Sequence, residues 1–537
     1  MPIFRVFHRQ QRDPVGRTGT PERPVLATRE AMDMTTGETR GWALLLLVAL
    51  GLTALAYAPI VRNYFYGDDF IYLYEMNNNP FLEFLLRPHG GHVHVLRNLI
   101  FYASHAAFGT APTWYYVEAF ATHLLNVGLL YELIWLFTGS PYLACFGSAL
   151  WGTAPFNEET LGWYSVYGQV LGVALMLGVL VQVEQVVSGR RRERRWTPYV
   201  WYLMLLGATL SFGTGTASAI AFPLMFLLLA PGLLARRPFK VLVPSLLVVI
   251  PVLYFTLFWL YKQTGGVPAD QPSWFFLGAL RHWPELARML IGLPAYGLTA
   301  VLLRLPPMGH DYPLVAAVAA SVTFGIGVLA LLTRASDRQK RQLLACVVLA
   351  LGCYGVIAFG RAVVFAEIFT VVPAETVSRY HYASSIPLVI IVCLLLNHVA
   401  TPLRLGRLRD VALVAWIGFT AFAAWRSARL IDHHDEARNE ATKVVQSIQS
   451  QIAAHAAGKV VYISNGPFEA TGPLYRIFPG WAGVFISYWS ANSVDGKRVY
   501  FVDQFEPTVA AARARPQTRA ASLLIGPRDV PSGKPDR

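Results

Sequence analysis

Apolar runs of about 15 to 27 residues, parted by short polar and basic stretches, recur along most of the chain. A helix satisfies its own backbone and needs roughly 20 such residues to cross hydrocarbon. Runs at 41–61, 114–137, 142–156, 161–187, 198–216, 218–234, 241–261, 312–333, 342–364, 383–400 and 410–428 therefore read as spanning helices. The pattern predicts a mainly α, polytopic membrane bundle of about eleven transmembrane helices with outer-face juxtamembrane helices. One more apolar run, 285–303, holds Pro294 and is flanked by Pro284, Pro306 and Pro307. These prolines favour an interrupted path on or into the membrane surface over a crossing.

Composition agrees: 54% of the residues are hydrophobic and 14% charged, with a mean hydropathy of +0.41, far more apolar than a soluble protein. The net charge of +13 raises the question of nucleic acid. The basic residues, however, sit in short clusters between apolar runs, as orientation signals do, so nucleic acid is not expected as a partner. The Arg-rich start places the N-terminus in the cytoplasm, and the basic clusters at 190–195 and 236–240 follow as inner loops. Keeping 285–303 out of the count leaves Arg334, Arg338, Lys340, Arg341, Arg404, Arg407 and Arg409 inside as well. The outer segments are then 62–113, 157–160, 262–311, 365–382 and everything past about 429.

Residues 1–40 read as a disordered cytoplasmic tail and 41–430 as the transmembrane domain, with 41–61 a retained signal anchor because it is too long for a cleaved signal. Beyond it, 431–515 reads as a small non-cytoplasmic α/β appendage: a polar helical stretch at 433–457, then strand-like Val460–Ser464 and 498–502. Residues 516–537 form a disordered Arg/Pro end. Cys145, Cys346, Cys353 and Cys393 lie inside apolar segments without CxxC spacing, so neither a disulfide framework nor a zinc site is indicated.

Four clusters on the outer side could carry chemistry. Asp68 and Asp69 follow Gly67 just beyond the first span, amid Tyr64, Phe65, Tyr66, Phe70, Tyr72 and Tyr74. Acids at a helix start suit the macrodipole, but desolvating them at a membrane boundary is costly unless something uses the charge. The same loop carries His89, Gly90, Gly91, His92, His94 and Arg97. His92 and His94, two apart in a strand, would point opposite ways and show no fixed third ligand. A phosphate- or sugar-binding loop, with Arg97 as its forked cation, fits better than a metal site. Glu158 and Glu159 stand in a tight turn before Trp163, Tyr164, Tyr167 and Gln169, a mixture suited to a sugar subsite or to an ordinary solvated turn. Arg379, Tyr380, His381 and Tyr382 open the tenth span, where Arg and Tyr serve as interfacial anchors or grip a lipid phosphate.

At these residues the chain resembles the GT-C superfamily of membrane glycosyltransferases, in particular the branch with the protein O-mannosyltransferases, the transmembrane O-mannosyltransferases and the bacterial aminoarabinose transferase. Asp68-Asp69 is similar to the acidic pair of that family's first outer loop, and His123, Asn126 and Val127 to its H-x-x-N-V helix. Pro155, Glu159 and Trp163 match its P-x-x-x-E-x-x-x-W pattern, and Arg379, Tyr380 and Tyr382 its Arg-Tyr-x-Tyr element. The chain departs from the family at Ala154, where relatives often carry His, and after Trp163, where Tyr167 and Gln169 stand instead of an Arg.

The resemblance implies sugar transfer, with inversion, from a polyprenyl-phosphate donor to a glycan, lipid or protein acceptor on the non-cytoplasmic face. It implies Asp68 as general base, with Asp69 and Glu159 orienting hydroxyls. His92, His94, Arg97, Glu158, Trp163, Arg379, Tyr380, His381 and Tyr382 would serve donor phosphate or sugar. No cofactor is firmly implied, a divalent metal is compatible, and membrane lipid is a partner. The location implied is an inner, plasma membrane of a bacterium, with the C-terminus periplasmic or extracellular. Two other classes compete: a transporter or lipid flippase, whose polar residues would line the midplane, and an inactive scaffold of the same fold.

Overall fold

The computed structural model describes residues 36–65, 68–89, 92–263, 272–304, 314–367, 373–403, 411–431 apart from 413 and 430, and the strand residues 460–464, 493–494, 497–501 and 520–524. Contacts divide the chain into Met1–Leu44 and Leu45–Arg537. The sequence readings of 1–35, of the 433–457 helix and of 525–537 fall outside the described residues.

The fold is mainly helical. Its helices are α1 (Thr36–Tyr57), α2 (Asp69–Asn78), α3 (Phe81–Leu86), α4 (Val95–Phe108), α5 (Pro112–Thr138), α6 (Pro141–Gly152), α7 (Asn157–Leu161), α8 (Tyr167–Val187) and α9 (Thr197–Thr209). They continue as α10 (Gly213–Leu229), α11 (Pro231–Leu234), α12 (Arg237–Gln263), α13 (Pro272–Arg281), α14 (Trp283–Leu303), α15 (Leu314–Arg334), α16 (Asp337–Glu367), α17 (His381–Ser384) and α18 (Ile386–Leu403). Proline opens several of these, at Pro112, Pro141, Pro198 and Pro231, where its missing N–H costs nothing and its fixed φ suits the first turn. Gly139 ends α5 at φ 70°, a left-handed position that halts the helix before Ser140 caps α6 by accepting from the Leu143 amide at 3.3 Å.

Seven described helices are long and apolar enough to cross a membrane, or eight if Ser378–Ser384 and Ile386–Val399, bent by 54°, form one broken span. The chain is thus an integral membrane protein. Of the eleven expected runs, three form short helices and 410–428 is not among the seven, whereas α14, left out of the eleven, is. α6 has 12 residues, α9 has 13 and α10 has 17, and at about 1.5 Å per residue the first two fall well short of the roughly 30 Å of hydrocarbon.

Helices α9 and α10 form a hairpin that reverses at Leu210–Phe212, not near residue 217 as the hydropathy implied. Trp201 meets Phe226, and Thr216 donates to the Thr209 carbonyl. Gly215 permits the closeness, since a Cβ there would lie 1.9 Å from the Ala208 carbonyl oxygen.

The run 285–303 is also corrected: it forms an unbroken helix, α14, with Pro284 in its first turn and Pro294 inside it. Its apolar side chains keep the rod favourable although Pro294 removes one ladder hydrogen bond. At one end His282 pairs with Glu367, the last residue of α16, at 2.9 Å. At the other, Arg304 donates to the Thr153 carbonyl just past α6.

Two short strands, β1 (Pro88–His89) and β2 (His92–Val93), pair antiparallel in the first polar loop. Near the C-terminus β3 (Val460–Ser464) pairs in parallel with β5 (Lys497–Phe501) and β6 (Ala520–Leu524), while β4 (Ser493–Val494) pairs antiparallel with β5. The four cysteines are unbridged and buried, as their apolar setting implied.

Candidate active site

The two adjacent aspartates have different surroundings. Asp69 is fully buried, and its Oδ1 accepts from the Ser165 amide at 2.6 Å and from the Ser165 hydroxyl. That contact pins the start of α2 to the turn before α8. Asp68 is 8% exposed, and its carbonyl accepts from the Tyr72 amide at 3.2 Å. Burial pushes the Tyr72 phenol up, so it presents a neutral ring. Arg97 lies over that ring, 3.8 Å from its centre.

Arg97 is fully buried, with its guanidinium against Tyr72. Its stem packs on Gly168, where a Cβ would fall 3.0 Å from Arg97 Cβ and 2.1 Å from the Ser211 carbonyl oxygen. Glycine is therefore what lets α8, α4 and the α9–α10 turn close together. The same turn is fastened to the first loop: Leu96 N–H donates to the Leu210 carbonyl at 2.9 Å, and His94 Nδ1 to the Ser211 carbonyl at 3.2 Å.

Glu159 and Arg379 meet although 220 residues part them. The carboxylate accepts the Arg379 backbone amide at 3.0 Å through Oε2 and the guanidinium through Oε1. Gln169 Nε2 donates to the Arg379 carbonyl at 2.8 Å, so backbone and side chain are both held. The guanidinium lies 5.1 Å from the centre of the Trp163 ring and 5.4 Å from that of Tyr380. The charge of Asp68 also acts on it through space. Glu159, Trp163, Arg379 and Tyr380 thus come together, with Asp68 near enough for its charge to act on Arg379.

His381 and Tyr382 point into the core. His381 Nε2 donates to the Glu375 carbonyl at 2.8 Å, so the neutral ring accepts the Tyr354 hydroxyl at Nδ1, 3.2 Å away. Tyr382 OH contacts His123 Nδ1 at 2.8 Å and accepts from Asn126 at 3.2 Å, while Trp151 Nε1 donates to the Tyr382 carbonyl at 3.0 Å. His123 Nε2 reaches the Gly152 carbonyl at 3.0 Å, and Asn126 the Val170 carbonyl at 2.9 Å. His123, Asn126 and Tyr382 therefore tie α5, α6, α8 and α17 together.

A cavity open to one side lies beside Arg379 and Tyr380, lined also by His92, Gln169, Phe212, Ile357 and Arg361. His92 and His94 do not point apart as strand alternation implied. Both stack on Phe212, at 5.8 and 5.2 Å, because His94 already lies beyond β2 at the start of α4. Among the described residues no three His, Cys, Asp or Glu side chains gather as a metal set. The charges of Glu158 and Arg304 both act on Tyr57.

Two residues escaped the sequence reading. Arg361 sits inside the run taken as a span at 342–364, and an arginine in such a run is itself a signal. Glu118 accepts from Ser104 at 2.9 Å and Tyr164 at 2.7 Å; its place near the start of α5, among aromatic residues, was the available cue. No family model and no curated protein matches the chain.

Proposed function

We propose that this protein is an integral membrane glycosyltransferase that moves a sugar from a polyprenyl-phosphate donor to an acceptor hydroxyl on the non-cytoplasmic face, with inversion. The observation that carries the reading is Arg379, held at backbone and side chain by Glu159 and Gln169, within reach of the Asp68 charge and lining the cavity. A fixed cation with a carboxylate near enough to act on it is the pairing this displacement requires.

In the step itself, Asp68 takes the acceptor O–H proton as the acceptor oxygen bonds to the sugar's anomeric carbon. The carbon–oxygen bond to phosphate breaks with its electron pair leaving on the phosphate. Phosphate needs no protonation to depart, so a single base suffices, and a cation preset against the developing charge lowers the barrier. Asp69 and Glu159 act here as positioning residues, the first fixing α2 through Ser165 and the second fixing Arg379.

The finer layout belongs to the same proposal. The N-terminus is cytoplasmic, α14 dips into the outer half of a bacterial plasma membrane, and short helices bring the crossings to about eleven. The strands after residue 459 belong to an outer appendage. In support, His282 sits against the end of α16 opposite the Arg338–Glu184 pair, and 190–195 would share the inner side with Arg338.

The test is transfer of radiolabelled sugar from polyprenyl-phosphate donors by purified protein and its Asp68→Asn variant, with and without chelator. The variant is expected to lose about a hundred- to ten-thousandfold in rate. Transfer persisting in the variant removes Asp68 as base, and no transfer from any donor overturns the reading. The chelator arm decides whether a divalent cation takes part.

A further inference from the structure

The cavity wall holds three groups able to carry positive charge, His92, Arg361 and Arg379, and no carboxylate. Their balances differ. Arg379 is already matched by Glu159. Arg361 has neither an ion pair nor a hydrogen bond among the described residues. It stands on α16 and lines the cavity with Val356, Ile357 and Gly360. A half-buried guanidinium on a cavity wall that carries no counter-charge of its own favours a bound anion. Space for one adjoins it, since a Cβ on Gly360 would meet nothing within 4 Å.

The proposed reaction changes the charge of its own leaving group. The donor phosphate is a diester with one negative charge. When the anomeric carbon–oxygen bond breaks, the pair of electrons stays on the phosphate, giving a monoester of about −1.5 to −2 at neutral pH. A cation neutralised by a protein carboxylate answers the first charge only in part, and an unmatched one is suited to the second. Interactions that strengthen as charge develops accelerate the step, whereas those equal in donor and product do not.

We infer that Arg361 is a catalytic residue for the leaving group: it binds the second charge of the departing polyprenyl phosphate, so that the cavity prefers a lipid phosphomonoester over a phosphodiester. The inference rests on the donor reading above, and the experiment separates the two. Binding of farnesyl phosphate and of farnesyl methyl phosphate is measured to the full-length protein in detergent, for the wild type and for Arg361→Gln, Arg361→Lys, Asp68→Asn and Gly360→Leu.

The wild type is expected to hold the monoester about tenfold more tightly than the diester, a difference of about 1.4 kcal/mol. Arg361→Gln should lose that preference by weakening the monoester about tenfold more than the diester, while Arg361→Lys and Asp68→Asn retain it. Gly360→Leu, whose side chain enters the space beside Arg361, should weaken both ligands and serves if Arg361→Gln does not fold. Equal binding of the two ligands by the wild type, a preference surviving in folded Arg361→Gln, or undiminished binding by Gly360→Leu overturns the assignment of Arg361. Failure of the wild type to bind either ligand overturns the donor reading itself.

Discussion

Helices α8 and α15 are both long enough to cross a bilayer, yet the protein buries 67% of the spanning window of one and 11% of the other. Helix α8 carries Gln169 at one end, bound to the Arg379 carbonyl, and Glu184 at the other, paired with Arg338 at 3.0 Å. Helix α15 turns Val318, Val322, Ile326 and Leu329 outward. Hydrocarbon can stand in for protein around an apolar side chain, so α15 gains little from close neighbours. It cannot stand in for a hydrogen-bond partner, so the polar groups of α8 demand them. Chemistry accordingly gathers on the helices that lipid does not reach.

That contrast can be broken from either side. The largest effect is expected for Glu159→Gln, which leaves Arg379 without its counter-charge at the head of α8. Removing one partner of a charge-assisted pair costs about 2 to 5 kcal/mol, and partial exposure of Arg379 keeps this near the lower end. The thermal midpoint in detergent should drop, and most transfer activity with it. An unchanged midpoint would mean the link between distant segments does little. Next comes Gly168→Ala, whose methyl group would collide with the Ser211 carbonyl and the Arg97 stem. Overpacking of this kind costs about 1 to 3 kcal/mol, again read as a lower midpoint. The smallest is Ile326→Ala on α15, 65% exposed, where a change within about 0.5 kcal/mol is expected. A larger loss there would show that something other than lipid covers that face.

The broad architecture was legible in the amino-acid order because hydropathy reports whether a segment avoids water. It does not report where an apolar stretch turns back. From 198 to 234 the chain is nearly continuous in character, and the reversal at Leu210–Phe212 depends on Gly215 meeting Ala208, a contact only folding creates. Proline misled at 294, since one missing hydrogen bond did not break α14.

Residue types pointed to positions that the fold brings together, Glu159, Trp163 and Arg379. Their partners did not show, because Asp69 finds Ser165 across 96 positions and His123 finds Tyr382 across 259. Arg361 was hidden by its own surroundings, a single charge averaged away within an apolar window.

The pairing of Glu159 with a residue 220 positions later has a consequence for biosynthesis. At roughly 5 to 20 residues per second, a ribosome needs roughly ten to forty seconds to deliver the arginine after the glutamate has emerged. During that interval the nascent chain carries the acids of its pocket but not the guanidinium that organises them. An interrupted translation product ending before Arg379 therefore lacks the pair, and the link to Glu159 closes only after the chain through α16 has been made.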